Sequence, residues 1–358
     1  MPDSEFIQNL RTSIQAANNS QQPLHIQGGG SKQFYGNDIT ANPAAKPLDV
    51  SDNRGIIEYE PSELYITARN GTLISEVESI LDTNQQMLPF EPAQFTRTST
   101  LGGTVACGLS GPRRPYASAM RDCVLGVNIV NGNGEYLKFG GRVMKNVAGY
   151  DASRLMCGAF GTLGVITQVS LKVIPSPHAE MTLAMEVNAS EALKMMHHWT
   201  QTQLPISATF FNDDILYVRL AGHEKTINKV HQRLGGEIVT SNKAFWEQIK
   251  NQQIDFFDSE QPLWRCIVPS NTPSNGIEGT LCMEWNGGLR WIKSQADSAI
   301  IMHQCRAAGG YATLFKSKHK TQDCLSEPNS ALKQLHINLK NAFDPNHILN
   351  PGRMYSWC

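Results

Sequence analysis

The chain has 358 residues, 41% of them hydrophobic and 18% charged, a globular balance that leaves little room for a long disordered tract and suits about two domains. Lysine and arginine number 31 against 32 acidic residues, so no net field recruits a nucleic acid or an anionic bilayer, and neither is expected as a partner. The eight cysteines are scattered, none in a C-x-x-C or C-x-x-x-C spacing, which argues against a zinc or iron–sulfur site in this chain.

In chain order, residues 1–20 lack the basic start and apolar block of a secretory signal, and no stretch approaches the ~20 apolar residues of a spanning helix. A reduced, cytoplasmic setting with free thiols is therefore expected. Phe6, Ile7, Leu10, Ile14 and Ala17 recur at helical spacing behind Asp3 and Ser4, which can cap. Residues 24–27 read as a short strand running into Gly28, Gly29 and Gly30, and residues 56–59 as a second strand after an irregular stretch. Thr72 is expected to start a helix that carries Leu73, Ile74, Val77, Ile80 and Leu81 on one face. Residues 101–111 form a glycine-dense loop, and 123–130 pairs with 136–139 across Asn131-Gly132-Asn133-Gly134. A short helix at 152–156 precedes Gly158, Gly161 and Gly164, and a β-branched strand over 165–173 ends at Pro175 and Pro177, where a domain boundary is expected.

Beyond that boundary strands and helices alternate. Ser190 is expected to cap a helix running to Trp199, and 208–211 with 216–220 make a hairpin over Asn212-Asp213-Asp214. Ile227, Val230 and Leu234 form a helical stripe closed by Gly235; strands at 264–268 and 281–285, a helix at 297–308 and a strand at 312–315 follow. The class is α+β: a first domain over 1–175, a ferredoxin-like layer over 176–330, and a closing segment over 331–358 whose helix carries Leu332, Leu335, Leu339 and Phe343.

Three glycine segments carry chemistry. In the first, Gln27, Gly28, Gly29, Gly30, Ser31 and Lys32, successive backbone N–H groups can face one concavity, a diphosphate can approach without a Cβ in its way, and Lys32 adds charge. Gln33 stands where the third glycine of a dinucleotide fingerprint belongs, so this is neither that motif nor a Walker loop, and a plain turn is the competing reading. The second holds Thr100, Leu101, Gly102, Gly103, Ala106, Gly108 and Gly111, small residues that leave room for phosphates and ribose, or that simply allow a tight crossing. The third runs from Lys145, Asn146, Val147, Ala148, Gly149, Tyr150 and Asp151 to Gly161, Gly164, Val165 and Ile166, where backbone groups at a turn into a strand can meet a heterocycle's edge.

In this order and spacing the three segments resemble the vanillyl-alcohol-oxidase or PCMH-type FAD proteins, and the Lys145–Asp151 version resembles the family of glycolate oxidase FAD-binding E subunits. The likeness covers residues 1 to about 175 and returns at Phe343-Asp344-Pro345 and Ile348-Leu349-Asn350-Pro351-Gly352. It implies a two-part FAD-binding domain with a cap, FAD held non-covalently, the first loop on the diphosphate, and the second along the phosphates and ribose. Val165 and Ile166 would then lie beside the adenine, Gly149 and Tyr150 toward the flavin, and the ring against the 176–330 domain. It also implies work as one subunit of a complex oxidising glycolate to glyoxylate beside a catalytic FAD subunit and an iron–sulfur subunit, in the cytoplasm or held at the inner membrane face through those partners.

One departure bears on catalysis. Relatives that oxidise D-2-hydroxy acids carry a His-x-Gly-Asp-Gly-Asn-x-His turn in the second domain, and this chain has no such pair; the segment Cys282 to Arg290 offers Glu284 and Arg290 without an imidazole. His197 and His198 are adjacent on a helix and diverge, and His231 and His336 read as edge residues, so no metal site is expected. Arg113 and Arg114 could grip a carboxylate or be paired with Asp or Glu. An accessory flavin subunit is the preferred reading; a stand-alone dehydrogenase with Glu284 or Tyr150 as base, or a flavin-less scaffold, are the alternatives.

Overall fold

The strand Val165–Lys172 buries six of its residues, and this run of Val, Ile, Thr and Leu needs cover on both faces. It lies at the centre of a five-stranded antiparallel sheet ordered Ile56–Glu60, Tyr65–Arg69, Val165–Lys172, Val124–Val130, Tyr136–Gly140. The structure, a computed structural model, describes residues 5–38, 43–141, 151–318, 320 and 323–358. On one face of the sheet the helices Ile74–Asp82 and Leu101–Cys107 close a core around Ile74, Val77, Leu81, Val105, Val127 and Val169. On the other side lie the helix Glu5–Asn19 and a parallel pair of strands, Leu24–Gln27 and Lys46–Asp49, whose core includes Leu10, Ile14, Val130 and Val165.

The end of the chain joins this second core. Leu24 N donates to Ile348 O (2.7 Å) and Asn350 N to Leu24 O (3.0 Å), so residues 348–350 lie along the strand that feeds the triple glycine. A fully buried ion pair holds them there: Lys340 Nζ donates to Asp344 Oδ2 (2.8 Å) and to the carbonyls of Thr162 and Leu349 (2.9 Å each), while Asp344 accepts from Ile348 N and Leu349 N. Every donor of the ammonium is thus used, which is what makes a charge tolerable at zero exposure.

The second sheet is eight-stranded and antiparallel, and it contains the ferredoxin-like pattern twice. Ala179–Glu186, helix Ala189–Thr200, Ile206–Asn212, Ile215–Gly222, helix Glu224–Leu234 and Glu237–Ile238 give a β-α-β-β-α-β unit with strands in spatial order 4-1-3-2. Leu263–Ile267, Thr280–Glu284, Leu289–Lys293, helix Ser298–Ala307 and Tyr311–Lys316 repeat that order, with the first crossover free of helix. The units join edge to edge through Phe210 opposite Glu284 and Phe211 opposite Met283. The helices Ala189–Thr200, Glu224–Leu234 and Ser298–Ala307 cover one face; the other is aromatic, takes the helix Asn242–Lys250 through Trp246 and Ile249, and packs on the first sheet's side of the molecule through Tyr35, Phe160, Phe210, Trp285, Trp291 and Phe315.

Several expectations change. The expected loop at 101–111 begins as a seven-residue helix, Leu101–Cys107, capped by Thr100 Oγ1 and closed by Gly108 at φ +64°. Thr72 precedes its helix by two residues and bonds Gly55 instead, and the 189–200 helix is capped by Asn188 in a capping box with Glu191, not by Ser190. Strands Lys46–Asp49, Tyr65–Arg69, Ala179–Glu186 and Leu289–Lys293 were not anticipated. On the helix Ser330–Phe343, Leu332 and Leu335 face outward, about half exposed.

Lys340→Met is expected to strand the buried Asp344 carboxylate with backbone partners only and to cost about 3–5 kcal/mol. Denaturant unfolding of the full chain reads this, and an unchanged midpoint would contradict it.

Candidate functional site

The three glycine segments and the chain's end converge on one cleft. One wall is Gln27, Gly28, Gly29, Gly30, Ser31 and Lys32; a second is Thr100, Gly102, Gly103 and Ala106; a third is Gly161, Gly164, Val165 and Ile166. Gly29 is required by backbone crowding. A Cβ on Gly29 would lie 1.5 Å from Thr98 O, and Thr98 Oγ1 donates to Gly29 O (2.5 Å), so the loop is pressed against residues 98–100. The expectation that a side chain at Gly29 would point at a diphosphate is therefore corrected: it would strike the neighbouring main chain. Gly30, at φ +72° with nothing within 3.8 Å of a built Cβ, supplies the left-handed turn that swings Ser31 and Lys32 back over the cleft.

Lys32 is the electrostatic centre. It is 6% exposed, its Nζ lies 3.4 Å from Ser31 Oγ and from Thr104 Oγ1 and 5.7 Å from the Phe95 ring, and among the described residues no carboxylate pairs with it. Burial pushes its ammonium below the usual lysine range. Arg353 closes the same end, donating to Lys32 O (3.3 Å), Gln33 O (2.7 Å) and Asn37 O (2.6 Å), and Asn350 pins the opposite one: its Oδ1 accepts from Ile26 N (2.8 Å) and its Nδ2 donates to Phe160 O (2.7 Å). Burial, and then the Arg353 charge, lower the His25 imidazole, so it adds no cation at neutral pH. A long cleft with small-residue walls and an uncompensated buried cation fits a dinucleotide whose diphosphate carries the missing negative charge.

A second, smaller cavity lies on the other side of the Lys32–Phe95 contact, between residues 109–112 and the aromatic face of the large sheet. Leu109, Ile249, Trp291 and Phe315 make its apolar wall, and Arg265, Lys250 and Glu284 are its charged groups. Burial raises the Glu284 carboxyl to about 7, against the opposing hydrogen bond from Trp291 Nε1 (2.7 Å) and the Arg265 charge. Directly after Glu284, Trp285 and Asn286 both take φ +56°, held by Trp285 Nε1 donating to Gly111 O (2.9 Å) and Asn286 N donating to Thr209 Oγ1 (3.0 Å). Two consecutive non-glycine residues in this region store strain that the surroundings must override.

Comparison with known proteins places this architecture. A family profile described as "FAD binding domain" matches residues 5–140. The chain is 43% identical over 354 residues to "Glycolate oxidase subunit GlcE" of Escherichia coli (strain K12), covering 99% of each. The chain belongs to the GlcE family. It also shares 32% identity over 128 residues with "Glycolate oxidase subunit GlcD" of Bacillus subtilis (strain 168), 36% of this chain and 27% of that protein. The solved structure of p-cresol methylhydroxylase superposes with a TM-score of 0.69 at 15% identity, over 97% of this chain and 87% of that one, so the fold is PCMH-type. This GlcE-family chain is an FAD-binding member of a hydroxy-acid-oxidising flavoprotein group. None of its described helices is long and apolar enough to cross a membrane.

Not every residue singled out from the sequence reaches the cleft of this GlcE-family chain. Leu101 is core, Gly108 packs on Gly158, and Gly111 lines the second cavity instead. Gly149 and Tyr150 lie outside the described residues. Arg290 faces the other side of the sheet and is spent on the carbonyls of Thr272, Pro273 and Gly287. Arg113 is committed to a quartet with Glu91, Glu180 and Arg219 that ties the two sheets together, and Arg114 stacks on Trp285 at 4.5 Å. The cleft also includes His25, Asn70, Cys107, Phe160, Asn350 and Arg353, of which only Asn350 had a signal, in the closing Asn350-Pro351-Gly352 segment.

Gly29→Ala is expected to abolish FAD retention through the clash with Thr98, whereas Gly30→Ala, strained by about 1 kcal/mol without a clash, keeps it. The flavin-to-protein absorbance ratio after gel filtration decides, and wild-type flavin in Gly29→Ala would contradict the packing. Folded Glu284 holds its proton to about 7, while an unfolded glutamate loses it near ~4.3, so stability falls by about 4 kcal/mol as pH rises between those values. Glu284→Gln should remove that fall and gain on the wild type from about pH 5 to about pH 8; denaturation midpoints showing the same gap at both would contradict the raised carboxyl.

Proposed function

We propose that this chain is the FAD-binding subunit of a complex that oxidises glycolate to glyoxylate, with FAD held non-covalently and its diphosphate against the 28–32 loop. The observation that carries this reading is Lys32, a buried cation in a glycine-walled cleft that lacks a carboxylate partner among the described residues. On this reading Gly28, Gly29, Gly30 and Ser31 present the loop's backbone to the phosphates, Thr100, Gly102, Gly103 and Ala106 follow the chain toward the ribose, and Gly161, Gly164, Val165 and Ile166 flank the adenine. Bound FAD supplies the acceptor for the hydride that leaves a 2-hydroxy acid's C2. The chain's own residues hold, orient and shield it.

The names of the two glycolate oxidase relatives support a place beside a catalytic FAD subunit of the GlcD kind, and an iron–sulfur subunit completes the proposed assembly. The complex is proposed to act in the cytoplasm, at the inner membrane face where its partners attach. Residues 1–175 with 331–358 are proposed as the FAD-binding unit and 176–330 as the cap.

Purified chain should carry equimolar FAD that passes into the supernatant on denaturation, and a tagged chain recovered from its native cells should bring a second flavoprotein and an iron–sulfur protein with it. A colourless chain that takes up no FAD, flavin that stays attached after denaturation, or recovery without those two companions would each contradict the corresponding part.

A further inference from the structure

The walls of the cleft come from distant parts of the chain, and one side chain from yet another part joins them. Asn350 is buried and lines the cleft beside Gly161. Its Oδ1 accepts from Ile26 N on the strand that feeds the triple glycine (2.8 Å), and its Nδ2 donates to Phe160 O at the head of the third wall (2.7 Å). Phe160 N donates in turn to Ala106 O on the second wall (2.9 Å). Phe160 and Gly161 follow each other at φ +53° and φ +74°, a left-handed pair that a phenylalanine enters only when its surroundings hold it there. Asn350 is part of that hold: a Cβ on Gly161 would lie 2.9 Å from Asn350 Nδ2 and 3.3 Å from Ile26 Cδ1, so the turn is pressed against the amide. Asn350 itself takes φ +41°, which asparagine accepts more readily than most residues, and its main-chain N donates to Leu24 O (3.0 Å).

We infer that Asn350 is a positioning residue that fixes the width of the slot for the adenosine half of FAD, and that through it the chain's end makes this cleft select FAD over FMN. A planar amide that accepts one bond and donates another sets the separation of two backbones as a ladder rung does, here between the strand carrying the 28–32 loop and the turn opening the 161–166 wall. Replacing it by an alkyl side chain leaves Ile26 N and Phe160 O without these partners and frees the left-handed turn to relax. The two halves of the cofactor then respond unequally. The ring, the ribityl chain and the first phosphate, which FAD and FMN share, rely on the 28–32 loop and the cap, whereas the adenosine of FAD alone relies on the wall from Gly161 to Ile166. This rests on the reading of the cleft as an FAD site with the adenine at that wall, and it adds the residue that shapes that end.

The test measures the dissociation constants of FAD and of FMN from the full-length apoprotein, with free flavin separated from bound by ultrafiltration. Wild type is compared with Asn350→Ala and with Gly161→Ala, whose added methyl presses on the amide from the other side while Asn350 stays in place. The denaturant midpoint of each apoprotein shows whether it folds, and if Asn350→Ala does not, Gly161→Ala decides by the same criteria. The expected result is a wild type that prefers FAD to FMN, and variants in which FAD binding weakens by about tenfold or more while FMN binding stays within about twofold, so that the preference collapses. Unchanged FAD affinity in a folded variant, or a loss by the same factor for both flavins, as a general loosening of the fold gives, overturns the proposal while leaving the FAD assignment standing. A wild type that binds neither flavin overturns the FAD assignment and this proposal with it.

Discussion

A lysine ammonium buried without a counter-ion is the constraint around which the first half of this molecule is organised. Taking such a charge out of water costs several kcal/mol unless an anion or a full set of donors' partners compensates, and Lys32 has two hydroxyls at 3.4 Å and an aromatic face. The contrast with Lys340 is instructive, since that equally buried ammonium has a carboxylate and two carbonyls. One lysine is finished by the protein and holds the fold; the other has no carboxylate partner among the described residues. The structure keeps Lys32 in place by crowding Gly29 against Thr98 and by bringing Arg353 from the far end of the chain onto the carbonyls of residues 32 and 33.

The doubled ferredoxin-like sheet explains how a second cavity arises next to the first. Joining two units edge to edge creates a continuous aromatic face, and the seam falls at Phe210, Phe211, Met283 and Glu284. Glu284 is therefore at the junction, followed at once by the strained Trp285–Gly287 turn that reaches across to Gly111 and is braced by Tyr116 and Thr209. The Arg113, Arg219, Glu91 and Glu180 quartet fixes the two layers against each other, so the hollow between them has walls from both. Site geometry here is a property of the docking of two layers.

How much of this was legible in the sequence follows the range of the interactions. Local signals were sound: the 124–130 and 136–140 hairpin with its Asn-Gly turn, the Ile206–Asn212 and Ile215–Gly222 hairpin over Asp213 and Asp214, and the strand leading into the triple glycine all depend on neighbours in the chain. Gly102 and Gly103 disguised a helix as a loop, because the demand for glycine at 102 comes from Asn70, 2.7 Å from a built Cβ, and no local pattern reveals that. Arg265 was invisible for a similar reason. An arginine alternating with Trp264 and Cys266 reads as a solvent-facing strand position, and only the second layer, packed over that face, buries it. Leu332 and Leu335 misled in the opposite sense, with a helical stripe that the described structure leaves half uncovered.

The central claim, that Lys32 completes its charge with a phosphate of the cofactor, is most directly tested by titrating apoprotein with FAD and with riboflavin, in the wild type and in Lys32→Met. A charge-assisted hydrogen bond of about 1.5–3 kcal/mol implies that the substitution weakens FAD binding by about ten- to hundredfold and leaves riboflavin, which has no phosphate, where it was. Equal FAD affinity in the two proteins, or an equal loss for both ligands, would contradict it.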